Sequence, residues 1–513
     1  MKLEDIVHAI ASTGQTETFA NITAGAIQRA PIRRALMGYV DRRINQRLEE
    51  AHDVNERRPP RVTQDKAYII RSLVHSIDRA LARGHVSEAV VRGLLRGLVV
   101  NAFLREERRD ALERFYREHG GYGPPGFLTI SPGKLCNLHC KGCYASSGND
   151  GEKLDWEVFD RIITEARTLW GSGFIVISGG EPLAYRSRGK GILDAAAKHQ
   201  DVFFLMYTNG TLIDEKVAAR IAEVGNLTPA ISVEGWEERT DARRGKGVFR
   251  RVLDAMAHLR EAGVPFGISL TATRENCEEI LSDEFLDFFF EEQGAIYGWI
   301  FQYMPIGRGF TLDLLPRPEQ RVWMWKRAWQ VIREKRYFLP DFWNLGTASD
   351  GCISAGRQGG YLYIDWNGKV MPCVFVPYSP VNINEVYQQG KTLNDILEEP
   401  FFKAIRQWQD RYGYAATRPE ETRNWMMPCI IRDHHADFRR ILEATEPDPE
   451  DKAALQAMVD PTYRDGLIKY DEALAQLMDP IWEQEYLSGN GRGPQNDGER
   501  AERDGVHRTS RCV

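Results

Sequence analysis

Between Phe127 and Met304, six short apolar runs rich in β-branched and aromatic residues alternate with amphipathic helical stretches. The runs are Phe127–Ser131, Phe174–Ser178, Val202–Tyr207, Pro229–Glu234, Pro265–Thr271 and Tyr297–Met304. The stretch from Trp156 to Trp170 shows the helical period, with Trp156, Phe159, Ile162, Ile163, Ala166 and Leu169 on one face. Strands separated by helices run parallel, because each crossover uses a helix to return the chain. Six such units predict an α/β fold: a partial (βα)6 barrel of the TIM type over residues 127–335, with its site at the carboxyl ends of the strands.

The flanks have a different texture. Residues 1–120 read as a helical N-terminal region. Ile69, Ile70, Leu73, Ile77 and Leu81 recur at helical spacing, Gly84 is a stop, and Ser87 caps a second helix carrying Val90, Val91, Leu94, Leu95, Leu98 and Val99. Packing against the barrel and docking on a membrane surface are both open to these helices. Gly120, Gly121, Gly123, Pro124, Pro125 and Gly126 then mark a boundary. Beyond the barrel, residues 340–435 form a further region, where Asn367-Gly368 joins two β-rich runs as a hairpin. Helices are expected over residues 436–486 and a disordered tail over 487–513.

The chain has 513 residues, 42% hydrophobic and 27% charged, with a net charge of −6, which excludes a general polyanion binder. Residues 1–120 hold 21 Lys and Arg against 16 Asp and Glu, a mild excess with no nucleic-acid motif beside it. The start MKLEDIVHAI lacks the features of a signal peptide, and no run approaches the ~18 apolar residues of a membrane span. A cytoplasmic protein is expected. In that reducing compartment, clustered cysteines point to metal or catalysis rather than disulfides.

Three of the eight cysteines, Cys136, Cys140 and Cys143, follow the first strand as C-x3-C-x2-C. Three thiolates on one loop can bind three irons of a cubane and leave the fourth open. An electron-transfer ferredoxin closes its cluster with four cysteines, and structural zinc takes four ligands. With Gly179-Gly180-Glu181-Pro182 after the second strand, and Ser232 and Arg244 at the fourth, the loop resembles the signature of the radical S-adenosylmethionine superfamily. The resemblance implies a 4Fe–4S cluster on Cys136, Cys140 and Cys143. It also implies S-adenosylmethionine held by Gly179, Gly180, Glu181 and Pro182 at its amino group, and by Ser232 and Arg244 at its ribose and carboxylate. Two positions depart from the family. Gly142 stands where an aromatic residue is common, with Tyr144 as a substitute, and Glu234 replaces the aspartate of SLDG.

Cys352 and Cys373, spaced C-x15-G-x4-C, with Cys429 further on, resemble the start of the SPASM or twitch extension, which holds auxiliary iron–sulfur clusters. The complete cysteine run of a SPASM domain is absent, so one auxiliary cluster is implied. Asp433, His434 and His435 are candidates for its fourth ligand; Cys277 and Cys512 are expected to be unligated. The implied activity is reductive cleavage of S-adenosylmethionine to a 5′-deoxyadenosyl radical that removes a hydrogen atom from a lipid, cofactor precursor or peptide. A ferredoxin or flavodoxin type of reductant is implied with it. The alternative is a non-catalytic iron–sulfur scaffold on a degenerate core.

Overall fold

The computed structural model describes residues 25–49, 57–94 and 106–488. Leu95, Leu98, Val99, Cys512 and nearly all of the expected tail lie outside these residues. The six expected strands form as β1 (Phe127–Ile130), β2 (Phe174–Ile177), β3 (Phe203–Thr208), β4 (Leu227–Val233), β5 (Gly267–Ala272) and β6 (Tyr297–Gln302). All are parallel and pair in sequence order. The helix Trp156–Trp170 begins at Asp155, whose side chain accepts from the Glu157 N–H, and ends at Gly171 in the left-handed conformation. Its expected face is buried apart from Leu169, which is half-buried.

Among the described residues the sheet does not close. Its order places β10 (Val381–Asn382), β8 (Lys369–Met371) and β7 (Tyr361–Ile364) beside β1, at the end opposite β6. β7 runs parallel to β1 with Phe127 opposite Tyr361, and β8 turns back antiparallel through the Asn367-Gly368 turn. The Asp365 carboxylate accepts the N–H groups of Asn367 and Lys369, and Gly368 takes a positive φ of 84°. Along β6, the segment after the barrel adds parallel bridges from Tyr297 to Phe338 and from Ile300 to Asp341. The expected extension therefore continues the barrel's own sheet. Two short strands, β9 (Tyr378–Ser379) and β11 (Asp448–Pro449), pair apart from it. The C-terminal residues form the helices His435–Thr445, Lys452–Val459 and Pro461–Trp482.

One hydrophobic core extends from Val62 to Tyr486 and includes residues of the N-terminal helix, the barrel and the extension. The helix Pro60–Ala82 docks on it by a face that apolar spacing picks out only in part, since Leu81 is buried and Ile69 and Leu73 are half-buried. Ile70 and Ile77 are 54% and 42% exposed, whereas Asp65, Ser72 and Ser76 are buried. Asp65 accepts from Thr347, Tyr486 and Arg333, and Ser76 accepts the Phe338 N–H. Hydrogen bonding sets this helix's rotation. The next helix, Glu88–Leu94, is capped by Ser87 and buries Val90 and Val91 beside Ala80 and Ile296. Among the described residues, no helix is long and apolar enough to cross a membrane.

Candidate active site

Each of the six strands lends side chains to one cavity of about 430 Å³, which reaches the loops at their carboxyl ends. Cys136, Cys140 and Cys143 arrive on the loop after β1, Gly179 and Gly180 after β2, Asn209 after β3, and Ser232 on β4. Arg243 and Arg244 enter from the last turn of the helix Glu237–Arg244. The cysteine loop is clamped from two sides. The Cys136 N–H donates to the Gly148 carbonyl at 2.7 Å. From the segment after β6, the Arg308 N–H donates to the Cys143 carbonyl at 2.9 Å, and its guanidinium donates to the Cys140 and Ser147 carbonyls.

The glycine pair serves this clamp. The Gly180 N–H donates to the Gly133 carbonyl at 3.0 Å and the Glu181 N–H to the Leu135 carbonyl at 2.8 Å. Gly179 adopts a positive φ of 114°. Glu181 and Pro182 lie buried behind the wall and do not line the cavity. The ammonium-binding role that the resemblance assigns to the Glu181 side chain does not match this placement. Its oxygens accept from Thr208 at 2.7 Å, the Asn209 N–H at 2.9 Å and the Leu183 N–H at 3.1 Å. Burial pushes its carboxyl upward, against the pull of those donors.

Glu234 is 2% exposed and receives both Arg243 and Arg244. Glu234 therefore keeps a buried carboxylate at the aspartate position of SLDG, and that carboxylate holds the arginine pair at the cavity wall. At the other departure, Gly142 has a positive φ of 62°, and a Cβ there would stand 3.1 Å from the Tyr303 ring. The ring next to the missing side chain is thus Tyr303, and the suggested substitute Tyr144 is engaged elsewhere. Its hydroxyl bonds to Ser178 and receives the Gly179 N–H, and burial raises it to about 12. Arg308, Tyr303 and Asn209 were not singled out from the sequence. Asn209 bonds to Asn137 at 2.9 Å and reaches the Cys136 sulfur at 3.8 Å, and the Thr208-Asn209-Gly210 run after β3 was its signal.

Cys352, Cys373 and Cys429 line the far wall of the same cavity. Each set acts electrostatically on its own members: Cys136 feels Cys140 and Cys143, and Cys429 feels Cys352 and Cys373. Burial raises the Cys136 thiol to about 11 and the Cys373 thiol to about 12. The Tyr361 hydroxyl lies 2.9 Å from the Cys373 sulfur. None of the three fourth-ligand candidates lines the cavity, although Asp433 lies beside Cys429, whose N–H its carboxylate accepts at 3.1 Å. Asp433 forms a fully buried double ion pair with Arg321. His434 bonds to the Met427 carbonyl and packs on Tyr412 and Trp408. His435 bonds to the Ile431 carbonyl. Cys277 is buried away from both sets.

The donor sets fit iron–sulfur clusters. Among the described residues, no three His, Cys, Asp or Glu side chains converge to hold a single metal ion. A cubane asks instead for thiolates spread over separate irons. Raised thiols lose their protons to metal binding, so the cost of burying the thiolates is met only when iron is bound.

The radical SAM superfamily model matches residues 130–283, and an iron–sulfur cluster-binding domain, SPASM, matches residues 352–419. An AdoMet-dependent heme synthase of Methanosarcina barkeri is 28% identical over 277 residues, covering 49% of this chain and 77% of that protein. An Fe-coproporphyrin III synthase of the same organism is 34% identical over 151 residues, covering 29% of this chain and 37% of the relative. Streptococcus suis SuiB, solved with its precursor peptide SuiA, is 19% identical with a TM-score of 0.48, covering 67% of this chain and 83% of that one.

Proposed function

We propose that this radical SAM enzyme, with its SPASM extension, abstracts a hydrogen atom from an unactivated C–H bond of a biosynthetic substrate. The observation that carries the reading is a single cavity. Its near wall holds the C-x3-C-x2-C thiols with Gly179, Gly180, Ser232 and Arg244, and its far wall holds Cys352, Cys373 and Cys429.

When bound, the reduced cluster and S-adenosylmethionine supply the one-electron cleavage that yields methionine and a 5′-deoxyadenosyl radical. The chain's own residues position and shield. Cys136, Cys140 and Cys143 would hold three irons on a loop fixed by Arg308. The backbone carbonyls of the glycine turn are the acceptors for the methionine ammonium, with Glu181 organising the turn from behind. Arg244, kept at the wall by Glu234, is the partner for the methionine carboxylate, and its planar fork suits that group. Ser232 would meet the ribose. Cys352, Cys373 and Cys429 would hold the auxiliary cluster, while Asp433, His434 and His435 are engaged by Arg321, the Met427 carbonyl and the Ile431 carbonyl. We place the reaction in the cytoplasm with a ferredoxin or flavodoxin as electron source. The N-terminal helices, which leave Ile70 and Ile77 exposed, are where a peripheral membrane contact would form. A non-catalytic scaffold is the weaker reading, because it has no use for an intact arginine and glycine cofactor wall.

The test is anaerobic reconstitution, reduction and addition of S-adenosylmethionine. The expected result is 5′-deoxyadenosine in the wild type and none in Cys140→Ala. A wild type that forms none with dithionite or with reduced flavodoxin would falsify the reading.

A further inference from the structure

The middle of this barrel is not packed. Closed β/α barrels fill their interior with layers of branched aliphatic side chains. Here alternate positions of three strands, Phe127 and Thr129, Phe174 and Val176, and Trp299 and Phe301, all line the cavity. The four aromatic residues among them are only half-buried, although β1 and β2 are paired on both sides and β6 is bridged to Phe338 and Asp341.

The wall changes character along its length. Around the cysteine loop it offers hydroxyls and an amide, from Ser178, Thr208, Asn209, Ser232 and Thr271. Toward the amino ends of the strands it becomes aromatic, with Phe127, Phe174, Trp299 and Phe338. Ile69 of the helix Pro60–Ala82 stands at that end. Among the described residues the lining contains no Lys and no His. Thiols and tyrosines aside, its ionisable side chains are Arg243, Arg244 and Asp341. Both arginines are held by Glu234. The Asp341 carboxylate accepts from the Gln302 and Asn344 side chains and from the N–H groups of Trp343 and Asn344. A substrate carboxylate or ammonium drawn toward Trp299 would lose its water and find no counter-charge among these residues. An apolar group would lose only unfavourable hydration there.

Resting on the radical reaction above, we propose that the substrate offers this cavity an uncharged hydrocarbon moiety, an alkyl or prenyl chain. It would lie along the aromatic wall from the cysteine loop toward Ile69. Coproporphyrin III, the porphyrin in a Methanosarcina barkeri relative's name, carries carboxylates that the same wall would exclude.

The test is a fluorescence titration of the full-length reconstituted protein with N-phenyl-1-naphthylamine, an uncharged apolar probe. Saturable binding at one site per chain is expected, displaced by hexadecanol and not by coproporphyrin III. Trp299→Leu keeps the wall apolar and should hold the probe's affinity within about threefold, whereas Trp299→Glu should weaken it by about tenfold or more. The proposal is overturned by displacement with coproporphyrin but not hexadecanol, by equal loss in both Trp299 variants, or by absence of saturable binding. The titration needs no radical chemistry, so 5′-deoxyadenosine is assayed on the same sample. Probe binding without deoxyadenosine sinks the reaction alone, and the reverse sinks the substrate class alone.

Discussion

A methyl group on Gly180 would stand 2.3 Å from the Leu135 carbonyl oxygen and 2.4 Å from that of Lys134. Those carbonyls belong to backbone at the start of the cysteine loop, so they can yield only if the loop moves. Gly180→Ala should therefore cost about 1–3 kcal/mol and lower the iron bound per chain, as read by chemical denaturation and iron analysis. Glu234 acts at the same scale. Glu234→Ala leaves Arg243 and Arg244, 18% and 12% exposed, without their carboxylate. The expected loss is about 3 kcal/mol, and Glu234→Gln, which keeps an acceptor, should lose less. The cysteines and the glycine pair were legible because their spacing along the chain is the signal. The partnership of Glu234 was not. A glutamate in place of an aspartate reads as a departure until the helix Glu237–Arg244 brings both arginines back to it.

Elements were legible where one periodicity governed them. Most of the strands are apolar runs buried at successive positions, and the helix Trp156–Trp170 buries one apolar face, so run and period each report their element directly. The helix Pro60–Ala82 shows the limit, since its buried side is organised by Asp65, Ser72 and Ser76, which an apolar count passes over. The helix Pro461–Trp482 hides a similar polar contact. Asp471 accepts the His435 N–H, and burial raises its carboxyl to about 9. Between the ordinary carboxyl range and that value, the folded chain holds a proton that the unfolded chain has released. Stability therefore falls as pH rises through this window. Asp471→Asn removes the dependence: its melting temperature should exceed that of the wild type by a margin that widens from pH 5 toward pH 8. A constant or shrinking margin would show that Asp471 is already ionised in the fold.

At the scale of the molecule, the two cysteine sets line one chamber, although they lie in separately matched segments of the chain. Iron analysis should find about eight irons per chain, and about four after Cys352 and Cys373 are both replaced by alanine. Asp65 ties the same parts together, since its partners Thr347, Arg333 and Tyr486 come from the extension's approach, the end of the barrel and the C-terminus. Asp65→Ala strands those groups and should lower stability by about 3 kcal/mol in one cooperative transition. Two separate transitions would mean that the shared core does not couple them.

The insertion of β7 beside β1 bears on how such a protein can be rebuilt. A chain cut after residue 335 would keep every ligand of the first cluster. It would also bare the whole edge of β1, a buried apolar strand with unmet hydrogen bonds, and such edges recruit other chains into aggregates. The barrel and its extension are not interchangeable cassettes. A chimera that borrows another protein's extension must also import a strand that matches Phe127–Ile130 in register, or it will aggregate before it can be loaded with iron.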